Sequence, residues 1–244
     1  MAAQAQMDVG GMFRPQGRLD LATALQPYRL ALGERGAAHL LRRAGFGGTP
    51  EEIASFAAMS ATAAARRLVS VPSPKSVAPP PEVDELGTMG MRQGRAAIVA
   101  LQLWWLNRML TTPAPLQEKM ALYFHGHFTS RATPRFSMIT YDQNALFRRY
   151  ATGNLRELTR DVSKDAAMLL YLNGDQNVAA HPNENYAREL MELFTLGVDN
   201  YTEADVRESA RAWTGWRVIR KTASVTFEPR LHDAGTKTFL GRTG

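Results

Sequence analysis

The chain has 244 residues, 45% of them apolar, and no cysteine. That apolar share is sufficient for a hydrophobic core, and the lack of cysteine excludes disulfides, cysteine-ligated zinc, iron–sulfur clusters and thiol nucleophiles. The formal net charge is +6, but the arginine pairs at 42–43, 66–67 and 148–149 are not interleaved with aromatic residues, so the sequence predicts no nucleic-acid partner. No stretch reaches the ~18 apolar residues of a membrane span.

The first part of the chain predicts an irregular arm followed by short helices. Residues 1–33 show weak periodicity, and helices are predicted at about 34–44, from residue 50, and at 61–69. The second of these helices has a clear start, because Thr49 and Glu52 form a capping-box pattern around a proline at the first helical position. Prolines at positions 72, 74, 79, 80 and 81 predict an extended linker.

We therefore divide the chain into three segments: an N-terminal arm and helical segment (1–70), a Pro-rich linker (71–87) and a main helical body (88–244). Residues 91–110 are apolar nearly all round, which predicts a central buried helix. Further helices are predicted at about 116–124, 137–151, 155–163, 165–172, 183–196 and 203–213. Residues 217–219 and 224–227 have the β-branched character of a hairpin, and the composition after Phe227 is that of a loop. The predicted fold class is mainly α, an irregular multi-helix domain with a small C-terminal β-hairpin.

The most informative stretch is HPNENYARELMELFTLG, residues 181–197. Helical spacing puts its apolar side chains, Leu193 among them, on one arc, with Leu196 as the exception. The polar side chains fall on the opposite arc, where Glu184, Arg188 and Glu192 are spaced for i,i+4 ion pairs. This pattern is typical of an ordinary amphipathic helix.

A functional interpretation of the same stretch stays open. The candidate functional residues are His127, His181, Asn183, Glu184, Asn185, Arg188, Glu189 and Glu192. Of these, His127, His181 and Glu184 are candidate ligands of a divalent metal, the one cofactor that the sequence raises. We expect His127 to lie near the N-terminal half of the 183–196 helix.

Two other histidine motifs have competing interpretations. In His125-Gly-His127 the two side chains would share a face on a strand and could chelate a metal, but on a helix they would point apart. His232 and Asp233 could act as a base and its orienting carboxylate, although adjacent residues seldom hydrogen-bond productively.

These motifs resemble the bacterial family called domain of unknown function 1800. The resemblance rests on residues 181–197 and on the segments Tyr201–Val206 and Ala210–Trp216. It extends back through residues 38–46, 123–130, 154–158 and 168–176, and forward to 232–241.

The resemblance implies an exported or envelope-associated bacterial protein, periplasmic or secreted, with a sulfatase-like protein as its partner. Residues 1–21 show no signal peptide. Members of the family continue beyond the position that matches Gly244, so we expect this chain to be truncated at its C-terminus. We also expect apolar surface to be left uncovered on the helices between residues 91 and 172.

Two functions follow as hypotheses. The first is a non-catalytic helical binding or scaffold protein acting with an envelope or secreted partner. The second is a metal-assisted hydrolase that uses a His/Glu cluster of His127, His181, Glu184 and Glu189. Convergence of the histidines on one face of the 183–196 helix would distinguish them.

Overall fold

The computed structural model describes residues 30–70, 79–80, 82–83 and 90–244. In that part of the chain most residues are helical, and the β-strands form two short antiparallel pairs. The mainly α class with a C-terminal hairpin is thus confirmed. The predicted arm up to residue 29, and most of the 71–87 linker, lie outside the described residues, so the division into three segments stays a prediction.

The N-terminal helices are α1 (Gly33–Ala44), α2 (Pro50–Ala57) and α3 (Ala61–Val69). The capping box at the start of α2 is present, with the Glu52 amide donating to Thr49 Oγ1 at 3.2 Å and the Thr49 amide donating to Glu52 Oε2 at 2.8 Å. The three helices bury a small core of their own, made of Ala37, Leu41, Phe56, Ala64 and Leu68.

The main body contains seven further α-helical segments: α4 (Met91–Thr111), α5 (Pro115–His127), α6 (Ser137–Arg149), α7 (Leu155–Val162), α8 (Ala166–Tyr171), α9 (Asn185–Glu189) and α10 (Glu203–Ala212). Short 3₁₀ turns cover Pro134–Phe136, Gly174–Gln176 and Pro229–Leu231. The largest core cluster includes Phe128, Phe147, Leu158, Met168 and Phe194. It fixes α5 against α6 and against the 183–196 region, and so positions the site described below.

Helix α4 is less buried than its composition predicted. Its small residues face inward, and a Cβ on Gly94 would lie only 2.0 Å from the Pro134 carbonyl oxygen, so this close approach requires glycine. The other side is exposed and carries Val99, Leu103, Leu106 and Leu110. An apolar sequence all round a helix does not say which side has neighbours. In the described ranges no helix combines the length and apolar character needed to cross a bilayer.

The C-terminal region contains the predicted hairpin, β1 (Trp216–Ile219) paired with β2 (Ser224–Phe227). The expectation of a loop after Phe227 is wrong, because β3 (Thr238–Phe239) pairs with β4 (Arg242–Thr243). The turn between them places Leu240 and Gly241 at φ of 48° and 73°, as a tight hairpin requires. Strands of two residues are too short to show an alternating pattern, which explains why the sequence did not reveal them.

Candidate functional site

The predicted 183–196 helix changes geometry halfway along. After α9 it continues over Leu190–Thr195 as a π-helical stretch, in which the Leu196 amide donates to the Met191 carbonyl at 2.7 Å. A π turn takes in an extra residue and is found frequently at functional sites. The extra residue rotates the side chains that follow it around the helix axis. Leu193, which was predicted on the buried arc, is therefore 61% exposed, while Phe194 stays buried.

Asn183 and Asn185 hold the start of this helix in place. Asn183 donates its amide N–H to Asn177 Oδ1 at 2.8 Å and accepts the Asn185 amide on its own Oδ1 at 3.0 Å. Asn185 Nδ2 donates to the Leu172 carbonyl at 3.3 Å. Sequence reasoning missed Asn177, a 2%-exposed residue whose Nδ2 donates to the Ala210 carbonyl. Both predicted asparagines therefore make structural contacts.

The charged residues of the helix are only partly paired as predicted. Arg188 donates to Glu184 at 3.2 Å, but its shorter contacts, 2.7 and 2.8 Å, are with Glu203 on α10. That hydrogen bond from Arg188 lowers the pKa of Glu203. Glu192 forms no ion pair with Arg188 and instead accepts a 2.9 Å hydrogen bond from Tyr201.

Two of the predicted residues, His127 and Glu189, line one pocket of about 380 Å³. His127 Nε2 lies 2.9 Å from the Phe194 carbonyl oxygen. A carbonyl oxygen only accepts, so Nε2 carries the hydrogen. This contact places His127 beside the C-terminal half of the helix, whereas we expected the N-terminal half, and the pocket that it shares with Glu189 lies near the middle of the helix. The π-helical stretch brings Leu193 and Phe194 to the pocket as well.

The rim of the His127–Glu189 pocket is apolar and exposed. Tyr123 stacks on His127 with ring centroids 6.0 Å apart and planes 6° from parallel, and it is 59% exposed. Tyr171 and Leu193 line the pocket and are also exposed. Glu189 itself is half-buried, and none of the ion pairs formed in the described ranges involves it. The pocket thus combines one unpaired carboxylate with aromatic surface.

The predicted metal ligands do not come together. His181 is exposed, and its backbone forms an isolated bridge with Val178. Glu184 is paired with Arg188, and His127 is hydrogen-bonded to Phe194. Across residues 30–70, 79–80, 82–83 and 90–244, no group of three or more His, Asp or Glu side chains is placed to hold a metal ion. The set of His127, His181 and Glu184 is not such a group.

A family model described as "Protein of unknown function (DUF1800)" matches residues 39–244. The chain belongs to the DUF1800 family. The match spans α5 and the 183–196 region, and so both walls of the His127–Glu189 pocket. No curated protein and no solved structure matches the chain. The resemblance identified in the sequence is confirmed, and the family by itself assigns no reaction.

In this DUF1800 domain the two histidines of His125-Gly-His127 point apart, because both belong to helix α5. His125 packs edge-on against Trp105 and Phe147, with ring centroids 5.3 and 6.3 Å apart. Burial lowers the pKa of His125. The pair cannot chelate one ion: His127 lines the pocket that it shares with Glu189, whereas His125 lines a separate, smaller pocket with Trp105 and Asn144.

His232 and Asp233 also act separately. His232 Nδ1 lies 2.9 Å from the Thr214 carbonyl oxygen, whereas Asp233 accepts from Arg211 Nε at 2.7 Å. The Arg211 hydrogen bond, with that from the Gly235 amide, lowers the pKa of Asp233 to about 2. These contacts fasten the C-terminal segment to α10 and do not form a base with its orienting carboxylate.

The DUF1800 chain has a buried ion-pair network that the sequence did not reveal. Glu118 is fully buried and accepts from Arg148 Nε at 2.6 Å, from Arg108 Nε at 2.7 Å and from Trp105 Nε1 at 3.0 Å. Arg148 also donates to Asn144 Oδ1. Burial acts to raise the pKa of Glu118, but the hydrogen bonds and charges of the two arginines outweigh it, so the pKa is lowered. The two ion pairs join residues that are 10 and 30 positions apart along the chain.

Proposed function

We propose that this DUF1800 protein is a non-catalytic binding protein whose His127–Glu189 pocket receives a basic side chain of a partner protein. The observation that carries the proposal is Glu189, a half-buried carboxylate without a counter-charge in the described ranges, set beside exposed aromatic rings. A guanidinium or ammonium group satisfies both features, because it pairs with the carboxylate and is attracted to the face of an aromatic ring.

The polar groups around the pocket support binding rather than catalysis. His127 uses Nε2 to hold the Phe194 carbonyl, and Arg188 is committed to Glu184 and Glu203. The alternative, a metal-assisted hydrolase using His127, His181, Glu184 and Glu189, has less support, because only His127 and Glu189 line the same pocket.

The partner and its location belong to the same proposal. The family resemblance implies a periplasmic or secreted protein that acts with a sulfatase-like protein, and we carry both over as parts of the proposal. Tyr171 and Leu193, which line the pocket, and Tyr123, which stacks on His127, are all exposed. They support a protein partner, because exposed aromatic and aliphatic side chains that border a polar pocket are typical of protein–protein contact sites.

The test is a titration of the isotopically labelled protein with the peptide Ac-Gly-Arg-Gly-NH2, followed by NMR. We expect shifts at Glu189, Tyr171 and Leu193, and roughly tenfold weaker binding to the Glu189→Gln variant, since a charge-assisted contact is lost. The matched control is Glu157→Gln, which neutralises an exposed carboxylate paired with Arg160. It should bind as the unmodified protein does.

Two outcomes would overturn the proposal. One is equal binding of the arginine peptide to the Glu189→Gln and Glu157→Gln variants. The other is a stoichiometric divalent metal in the purified protein that His127→Ala and Glu189→Gln both remove, which would favour the hydrolase.

A further inference from the structure

We propose that helix α4 pairs with α4 of a second copy of this chain, in an antiparallel arrangement along one exposed apolar stripe. We call this stripe the α4 seam, and its four members are all more than half exposed: Val99 (53%), Leu103 (62%), Leu106 (55%) and Leu110 (81%). A contiguous apolar patch of a few hundred Å² marks an interaction site on a soluble protein. The seam is separate from the His127–Glu189 pocket, whose described lining residues fall between positions 126 and 194, outside α4.

The spacing of the α4 seam specifies a helical partner. Its members follow one another at intervals of four, three and four residues, which is the a/d pattern of a coiled coil. With 3.6 residues per turn they fall within an arc of about 60° and extend over roughly 16 Å of the helix axis. Side chains with this spacing leave holes that the a and d side chains of another helix fill.

The order of residues in the seam matches itself when the helix is turned end to end. Leu103 and Leu110 occupy a positions, and Val99 and Leu106 occupy d positions. In an antiparallel pair centred between positions 104 and 105, Val99 of one copy lies opposite Leu110 of the other. Leu103 then lies opposite Leu106, so aliphatic side chains fill all four layers. A two-fold symmetric dimer requires this kind of self-complementary surface.

The charges around the seam favour a second copy over a charged partner helix. The e and g positions that border a coiled-coil seam choose its partner through their charges. Along this stretch of α4 they are all uncharged: Ala100, Gln102, Asn107 and Met109. Arg108 is the one charged residue between positions 99 and 110, and it is bound to Glu118 on the inner side of the helix. Two copies of a chain with a net charge of +6 therefore meet here without local repulsion, and a charged helix finds no opposite charge.

The size of the seam sets the strength of the dimer. A standard interface engages about 20–30 residues of each partner, and one face of α4 offers far fewer. Interfaces at the small end of the range belong to weak and transient complexes. We therefore expect a reversible dimer with a Kd of roughly 10–100 μM.

The test is sedimentation equilibrium of the full chain at concentrations from about 1 to 500 μM, which bracket this Kd. We expect a monomer–dimer equilibrium that Leu106→Lys weakens at least about tenfold, because each dimer would then place two ammonium groups in an apolar interface. The matched control is Leu155→Lys, which changes a leucine of the same 55% exposure on α7. The control should dimerise as the unmodified protein does.

Cross-linking tests the orientation of the two helices. Because the chain has no cysteine, single introduced cysteines report on this interface alone. A mixture of the Val99→Cys and Leu110→Cys proteins should form a disulfide-linked heterodimer under mild oxidation, since these positions face each other in the antiparallel pair. The Val99→Cys protein by itself should cross-link much more slowly, because its two introduced thiols would be roughly 16 Å apart along the helices.

Three results would overturn the proposal. The first is a chain that stays monomeric at the highest concentration, which would mean that no second copy binds the seam. The second is equal dimerisation of the Leu106→Lys and Leu155→Lys proteins, which would place the interface on another surface. The third is cross-linking of the Val99→Cys protein alone as fast as that of the mixture, which would mean that the helices do not pair in the antiparallel register. None of these results depends on binding of the arginine peptide at the His127–Glu189 pocket.

Discussion

Two arginine–carboxylate networks of this molecule have the same chemistry and opposite surroundings. The buried network consists of Arg108, Glu118 and Arg148. The exposed network consists of Glu184, Arg188 and Glu203. Side-chain exposure is 0% for Glu118, 4% for Arg148 and 21% for Arg108, but between 36% and 62% throughout the exposed network.

The two networks differ in whether their ion pairs can be recognised from the sequence. Glu184 and Arg188 are four residues apart on one helical stretch, and helical spacing predicts their contact. Glu118 and Arg148 are 30 residues apart, and only the packing of α5 against α6 brings them together. The pair that the sequence reveals, Glu184 and Arg188, is the one whose charges are screened by water. The hidden pair is the one whose loss would leave a charge buried, so the two networks should differ strongly in their contribution to stability.

The largest effect is expected from Glu118→Gln. This change keeps the shape of the side chain but leaves Arg148, which is buried, without its counter-charge. Removing one partner of a buried ion pair destabilises by about 3–5 kcal/mol. We expect a loss of that order in the free energy of unfolding, measured by chemical denaturation.

The control for this change is Glu157→Gln, which removes the same charge from an exposed pair with Arg160. It should shift the denaturation midpoint only slightly. A Glu118→Gln protein as stable as the Glu157→Gln protein would break the comparison, because it would mean that the buried network contributes nothing.

The fold was largely predictable, because its helices carry local signals. Thr49 and Glu52, for example, form the capping box that their spacing indicated. The sequence did not show which helix faces pack against one another. Helix α4 was predicted to be buried nearly all round, but it carries exposed Leu103 and Leu110, because the neighbours of a helix depend on the path of the whole chain.

An effect of intermediate size is expected on the pH dependence of stability, and it comes from Asp165. This half-buried carboxylate has no arginine as an ion-pair partner. Its Oδ2 caps α8 by accepting the Met168 amide at 3.0 Å and also accepts from Gln143 Nε2 at 2.7 Å. Desolvation raises the pKa of Asp165 to about 7, and the nearby charge of Asp142 raises it further, while the hydrogen bonds from Met168 and Gln143 act to lower it. Asp165 and Glu118 thus shift in opposite directions, and the presence of arginine partners accounts for the difference.

The pH dependence follows from the sign of this shift. The folded state holds the proton up to about pH 7, whereas the unfolded chain releases it near pH 4. Folding therefore takes up a proton between these values, and stability falls as the pH rises through that range. Asp165→Asn keeps an oxygen that accepts from the Met168 amide and from Gln143. The free energy of unfolding of this variant should therefore fall by about 2 kcal/mol less between pH 5 and pH 8 than that of the unmodified protein.

The measurement is the free energy of unfolding at several pH values for both proteins. Asp142→Asn serves as a second variant, because removing its charge should lower the pKa of Asp165 and move the fall in stability to lower pH. Identical pH profiles for Asp165→Asn and the unmodified protein would contradict the raised pKa.

The candidate site was less predictable than the fold. The sequence identified His127 and Glu189 as residue types suited to a site, and the structure brings these two to one pocket. It gave no signal for the π-helical stretch, which exposes Leu193 and sets the Phe194 carbonyl against His127. It also gave none for the contact of Tyr123 with His127, whose ring planes lie 6° from parallel, because stacking depends on side-chain conformations that spacing along the chain does not specify.

The smallest effect is expected from Arg188→Met, which removes the centre of the exposed network while keeping an unbranched side chain. Glu203 and Glu184 are then left without a partner, but both are exposed, and water solvates the freed carboxylates. The melting temperature should fall by no more than about 2 °C at low ionic strength. The difference should shrink further in 0.5 M NaCl, where the Debye length is only about 4 Å. The loss of stability caused by Glu118→Gln should persist in the same salt, because solvent ions do not reach a buried pair.

The contrary outcome is that Arg188→Met lowers the melting temperature as much as Glu118→Gln does and that salt does not reduce this difference. Exposure would then not be what separates the two networks. The packing of the 183–196 region on α10 would have to depend on Arg188 directly.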